Sequence, residues 1–266
     1  MSTAVATQTE FDLFFEGLYA NKSRVLLLDY DGTIAPFTAR RDQAFPYPTV
    51  PELLDCIMST CKTRVALVSG RSAREIPELL GITPHPEIWG VHGMERLTVD
   101  ETYSSIPVSR EIETLLAELE DWIDQQGLGT FTESKPGGAL AVHWRGLGAN
   151  EAEEVRANAY RLLWPFAQRA GLFLEEFDGG LELRPRNRSK ADAVHTILSE
   201  MNGIPAVAYL GDDTTDEDAF RYLSGRGLTV LVRPTYRFTA AQVWLRPPED
   251  VIQFLSDWIR ACGGDM

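Results

Sequence analysis

Short apolar runs that stop at Gly, Ser or Asp recur along the chain: RVLLLDYDG from Arg24, RVALVSGR from Arg64, EIWGVHG from Glu87, AVAYLGDD from Ala206 and LTVLVR from Leu228. Near-continuous runs of this kind mark strands covered on both faces. Helical patterns lie between several of them; in SKADAVHTILSEM, Val194, Ile197, Leu198 and Met201 share one face. The alternation predicts an α/β fold with a Rossmann-like parallel sheet and helices on both sides. In such open sheets ligands bind at the carboxyl ends of the strands, where the polar residues of these runs gather.

The middle of the chain has another pattern. SREIETLLAELEDWIDQQG sets Ile112, Leu115, Leu116, Leu119, Trp122 and Ile123 on one helical stripe, with Ser109 as N-cap and Gly127 as stop. Two strand-like runs follow, GTFTES and GALAVHWR, joined by KPGG. A second helix is expected in EAEEVRANAYRLLWPFAQRAG, kinked at Pro165. LFLEEF and LELRP then flank DGG, a turn signature. The order αββαββ is a self-contained two-layer cap, placed at residues 100–183 and inserted into a core of residues 1–99 and 184–266. Gly90, Gly93, Gly179 and Gly180 are expected near the crossings, as hinges.

Composition narrows the partners. The formal charge is −14, with no basic stripe of the kind a phosphate-tracking nucleic-acid binder carries, so no nucleic-acid partner is expected. Cys56, Cys61 and Cys262 form no CxxC pair and cannot all be disulfide-bonded within the chain, which suits a reducing compartment. The N-terminus lacks a basic flank before an apolar run, and no segment is long and apolar enough for a membrane span. A cytoplasmic protein with no membrane partner is expected.

Candidate chemistry sits at the strand ends. Asp29 and Asp31 leave the first run one position apart, followed by Gly32 and Thr33; Ser69, Gly70 and Arg71 end the second, and GDDTTD (Gly211 to Asp216) ends the fourth. A lone DxDG serves equally as a turn. Lys190, in a first helical turn where a cation is disfavoured, suggests a bound anion beside it. Together these elements suit phosphoryl transfer. Asp29 is the expected nucleophile, forming an aspartyl-phosphate, and Asp31 the acid and base serving the ester oxygen and then water. Ser69, Thr33, Lys190 and the Asp-Gly-Thr backbone would hold the phosphoryl oxygens, with Gly32 permitting close approach. Mg2+ is the expected cofactor, held by Asp29, the Asp31 carbonyl and Asp212. Asp213 and Asp216 would mainly orient these, either remaining a possible direct or water-mediated ligand.

These residues carry a resemblance. DYDGT, VSGR, Lys190 and GDDTTDED look like the four ordered motifs of the haloacid dehalogenase-like hydrolase superfamily, and an acid at the position of Asp31 is found in its phosphatases and phosphomutases. LLLDYDGTIAPF, VALVSGR, GVHGMER, ESKPGGALAVHWR and LELRP resemble the trehalose-6-phosphate phosphatases more closely. That family implies a small-molecule sugar phosphate contacted by cap strands, which carries over to Glu133, Lys135, His143, Arg145 and Glu182, with His92, Gly93 and Glu95 at the core–cap junction, Arg71 as a further substrate contact and Arg184 at hinge or ligand. His143 and Arg145 also read as the solvated face of a strand, and Glu133 with Lys135 as an exposed pair. The chain departs from the family at RNRSKAD, where Arg186 and Arg188 precede Lys190; these could favour a more acidic ester such as a glycosyl-3-phosphoglycerate, with glucosylglycerol phosphate a further alternative. From another class, a phosphate-responsive binding module shares the Asp, Thr and Lys set. The expected assembly is a monomer or weak dimer.

Overall fold

The computed structural model describes residues 8–38, 40–169, 171–186 and 188–263. Of the N-terminal segment read as lacking a leader, the first seven residues lie outside these. The first half runs α1 (Gln8–Ala20), β1 (Arg24–Leu28), α2 (Val50–Ser59), β2 (Arg64–Val68), α3 (Ile76–Leu80), β3 (Glu87–Gly90), β4 (Glu95–Leu97) and β5 (Tyr103–Ser105). Then come α4 (Arg110–Gln125), β6 (Thr132–Lys135), β7 (Ala139–His143), α5 (Ala149–Ala167), β8 (Leu172–Phe177) and β9 (Gly180–Pro185). The chain closes with α6 (Lys190–Ser199), β10 (Ala206–Gly211), α7 (Glu217–Leu223), β11 (Leu228–Val232), β12 (Val243–Leu245) and α8 (Glu249–Ala261). Among the described residues no helix is long and apolar enough to cross a membrane.

The large sheet has eight strands in the order β12-β11-β10-β1-β2-β3-β4-β5. It is parallel from β12 to β3, and β4 and β5 add antiparallel at one edge. Each apolar run feeds both faces. Leu26, Leu28, Leu67 and Leu210 pack with Leu54, Phe254 and Trp258 on one side, whereas Val25, Leu27, Val68 and Tyr209 pack with Val194, Ile197 and Phe220 on the other. Such two-sided burial is why these runs lack polar alternation.

The segment α4-β6-β7-α5-β8-β9 folds as expected in the αββαββ order, its four strands forming a separate antiparallel sheet, β6-β7-β9-β8. Leu140, Val142, Leu181 and Leu183 face α4 and α5. With a period of two, the intervening residues face the other way, and the register sets Glu133 opposite Ala141 and Ala141 opposite Glu182. Ser109 caps α4, accepting from the Ile112 N–H.

Two expectations need correction, the boundary at residue 100 and the place of Gly179. Tyr103–Ser105 pairs with β4, so the boundary drawn at residue 100 cuts through the edge of the large sheet. α5 runs through Pro165 and ends two residues later, at Ala167. Gly179 (φ 84°) turns the β8–β9 hairpin, within the small sheet and away from either crossing.

Candidate active site

Parallel order places the ends of β1, β2 and β10 side by side, with the first turn of α6 beside them. Asp29, immediately after β1, donates its N–H to the Leu210 carbonyl at 2.8 Å, locking the strand end against β10. Its Oδ1 accepts from the Tyr30 N–H at 2.7 Å and its Oδ2 lies 2.8 Å from Lys190 Nζ. The same ammonium lies 2.8 Å from Asp216 Oδ1. Burial pushes the Asp29 carboxyl up to about 7, opposed by Lys190 and reinforced by Asp216. Burial works against the Lys190 ammonium, but Asp216 and Asp29 hold its pKa above the ordinary lysine value.

Asp29, Asp212 and Asp216 each bring an oxygen within 4.8 Å of the others. Asp216 is fully engaged: Lys190 and the Tyr209 hydroxyl donate to Oδ1, and the N–H groups of Asp212 and Asp213 donate to Oδ2, both at 3.0 Å. It therefore orients the loop. Asp212 is the opposite case, since both its carboxylate oxygens are buried without a hydrogen-bond partner among the described residues. Burial, with the charges of Asp29 and Asp213, pushes its pKa well above the ordinary carboxylate value. Buried lone pairs without donors are costly, and an all-oxygen acidic set suits a hard divalent cation. A Cβ on Gly32 would stand 2.5 Å from Asp212 Oδ2, so only glycine leaves this corner open. The Asp213 carboxylate accepts from the N–H groups of Thr214 (2.7 Å) and Asp178 (2.9 Å), and the Asp31 carboxylate is held by Arg71, which leaves the Asp31 main-chain carbonyl as the ligand expected from that residue.

Asp31 meets Arg71 through two parallel hydrogen bonds, Nε to Oδ2 at 2.6 Å and Nη2 to Oδ1 at 2.7 Å. Ser69 Oγ accepts from the Arg71 N–H at 3.2 Å, and Ser69, Gly70 and Arg71 all line the cleft. Gly32 and Thr33, expected at the phosphoryl oxygens, are not among the residues that line it. Thr33 Oγ1 is buried with no partner among the described residues.

The small sheet forms the opposite wall with Lys135, His143, Arg145, Phe177 and Glu182. Glu182 accepts from His92 Nε2 at 2.9 Å and pairs with Lys135 Nζ at 3.1 Å. Burial would raise the Glu182 carboxyl, but Lys135 and His92 hold it well below its ordinary value. Burial lowers His92, and burial with Arg41 and Lys135 pushes His143 down to about 3. Both imidazoles are neutral at pH 7. Glu133 borders an adjoining recess, where it pairs with Arg41 and accepts from His143 Nε2 at 2.8 Å.

Glu95, Gly93 and Arg184, expected at the substrate, do not line the cleft either. Glu95 is buried, accepting from Ser72 Oγ, the Ala73 N–H and the Tyr103 hydroxyl, so it braces the Arg71 loop from behind. Gly93 packs against Ser189 and Ala193 of α6, where a Cβ would come within 3.2 Å. Arg184 turns to Glu175, with Nη2 to Oε2 at 2.6 Å, and stacks on Phe173. Conversely, Phe37 and Arg41, both from the connection after β1, line the cleft without having been singled out. Arg145 stacks on Phe37, its Cζ 4.0 Å from the ring centre. Their one sequence signal is the basic and aromatic composition of PFTARR.

A family model described as trehalose-phosphatase matches residues 27–239. Trehalose-phosphate phosphatase B of Arabidopsis thaliana is 28% identical over 293 residues, covering 99% of this chain and 75% of its own length. Trehalose-phosphate phosphatase of Mycobacterium tuberculosis (strain ATCC 25618 / H37Rv) is 32% identical over 260 residues, covering 90% of this chain; the chain spans 62% of that relative's length. Among solved structures, the C. albicans trehalose-6-phosphate phosphatase C-terminal domain shares the fold with a TM-score of 0.80 at 19% identity, covering 99% of this chain and 100% of its own. An Aspergillus fumigatus trehalose-6-phosphate phosphatase gives a TM-score of 0.63 at 25% identity, covering 93% and 97%.

Proposed function

Because the chain belongs to the trehalose-phosphatase family, we propose that it hydrolyses trehalose 6-phosphate to trehalose and phosphate. The observation that carries this reading is the division of labour between Asp29 and Asp31. Two carboxylates from one strand end are handed to different cations, Asp29 to Lys190 and Asp31 to Arg71. Paired acids in distinct surroundings are how one site runs nucleophilic and proton-transfer chemistry together.

In this reading a carboxylate oxygen of Asp29 attacks phosphorus as the bond to the sugar oxygen breaks, and Asp31 gives that oxygen its proton. Asp31, now a carboxylate, takes a proton from water, which attacks the aspartyl-phosphate and releases phosphate, restoring Asp29. Lys190 and Ser69 stabilise charge on the phosphoryl oxygens. A divalent cation, proposed as Mg2+, would be held by Asp29 and Asp212, and when bound it neutralises repulsion between carboxylate and phosphate. Lys135, Glu182, His143 and Arg145 would meet the sugar hydroxyls from the small sheet, which acts as a cap that excludes water when closed.

Arg186 and Arg188, the motive for a more acidic ester, lie outside the cleft, and Arg186 instead stacks on Phe173. A phosphate-responsive binding module would need neither Asp31 nor a sugar-facing wall. The protein is proposed to act in the cytoplasm as a monomer or weak dimer, without nucleic acid. The test is magnesium-dependent phosphate release from trehalose 6-phosphate, glucose 6-phosphate, sucrose 6-phosphate, glucosylglycerol phosphate and glucosyl-3-phosphoglycerate, with Asp29→Asn as control. Preference for trehalose 6-phosphate, lost in the variant, is expected; preference for another ester would overturn the substrate, and no release from any would overturn the activity.

A further inference from the structure

Arg41 is the cleft cation to which the chemistry above gives no task. It comes from the connection between β1 and α2, on the large-sheet side. Its guanidinium crosses to the small sheet, where Nη1 pairs with Glu133 of β6 and lies 3.4 Å from His143 Nε2 of β7. Its main-chain carbonyl points the other way and accepts from Arg71 Nη1 at 2.9 Å. The other two nitrogens of Arg71 hold Asp31. Glu75 lies 3.7 Å from both arginines and gives them a common anchor on the large-sheet side. One residue is thus fastened to the cap by its side chain and to the partner of the acid and base by its backbone.

We propose that Arg41 is a positioning residue that couples closure of the cap to the placement of Asp31. The proposal rests on the phosphatase reading above and adds a regulation of that site. With the cap closed, the Glu133 ion pair fixes Arg41, and its carbonyl fixes Arg71, which aims Asp31 at the ester oxygen. With the cap open, Arg71 loses a fixed acceptor and Asp31 its aim. Proton donation to a sugar alkoxide is then confined to the covered state. Reacting groups tolerate little misplacement, so a small shift in Arg71 suffices.

The test compares Arg41→Ala with wild type on two esters. Trehalose 6-phosphate has a poor leaving group and a sugar for the cap; p-nitrophenyl phosphate has a phenolate that leaves without a proton and no sugar. Because water attack on the aspartyl-phosphate uses Asp31 whichever ester formed it, the comparison is made on the first step, read as single-turnover release of the alcohol, where coupling predicts a loss of about tenfold or more on the sugar ester and under about twofold on the aryl ester. Arg41→Lys, which keeps the charge but not the planar fork, should regain part of the loss. Equal losses on both esters would mean that Arg41 only supports the fold, and a change confined to KM that it only binds sugar; either overturns the coupling. Hydrogen exchange of the ligand-free protein gives a readout free of substrate. Arg41→Ala should speed exchange in residues 132–143 and also in 69–75, whereas faster exchange in 132–143 alone would break the link to Arg71. If wild type leaves trehalose 6-phosphate intact, the substrate reading fails while the exchange result still decides the coupling.

Discussion

Arg71 grips both carboxylate oxygens of Asp31 at 2.6 and 2.7 Å while its third nitrogen reaches the Arg41 carbonyl. A planar fork fixes a carboxylate in two directions, which a lysine ammonium does not. Arg71→Lys should therefore lower kcat on the sugar ester by about tenfold to a hundredfold, with Arg71→Ala lower still. Steady-state phosphate release checks this, and full recovery in the lysine variant would show that charge alone matters.

Asp212 makes a prediction of two signs. Magnesium should raise the melting temperature of wild type, by the equivalent of about 2.7 kcal/mol at a hundredfold excess over Kd, and chelation should abolish phosphate release. Asp212→Asn should lose both responses. In metal-free buffer, however, it should be more stable than wild type by about 1 kcal/mol or more, because it removes a buried carboxylate without donors. Thermal melts with and without chelator separate the two effects.

Gly32→Ala should abolish magnesium-dependent turnover while the protein still folds. The residue has φ 78°, and the added methyl would meet Asp212 Oδ2 at 2.5 Å and Phe37 Cζ at 2.6 Å. The left-handed backbone adds a cost of about 1–2 kcal/mol. Circular dichroism and phosphate release, measured on one preparation, test the pair of outcomes.

Glu182 ties stability to pH. Its carboxyl is held well below the ordinary 4.5 in the folded protein, so its contribution is complete above that value and lost as pH falls toward the lower folded one. The stability advantage of wild type over Glu182→Gln should be largest near neutral pH and shrink below about 4.5, by at most ~1.4 kcal/mol per pH unit. Urea denaturation at several pH values gives the slope directly, and a constant difference across the series would contradict it.

The strands carrying Asp29, Ser69 and Asp212 were legible because two-sided burial writes an unmistakable apolar run, and parallel topology then brings the run ends together. Tyr103–Ser105 has no such run: two of its three residues are exposed, so nothing local distinguishes this edge strand from a loop. Glu95 and Arg184 misled for another reason. Their positions suggested ligand contacts, but their partners, Tyr103 and Glu175, are met only through strand pairing. Arg41 sits in an irregular connection where no periodicity reports which way a side chain points.

Lys135, Lys190, Arg41, Arg71 and Arg145 line the cleft against Asp29, Asp31, Asp212, Asp213 and Glu182. Its walls are therefore formally neutral in a chain of net charge −14. An approaching phosphate ester is opposed by the body of the molecule and not by its destination. Salt screens the long-range repulsion, acting beyond about 8 Å at physiological ionic strength, more than it weakens contacts inside the cleft. Encounter should thus quicken as ionic strength rises, the reverse of a site that draws its substrate in by a field of opposite sign.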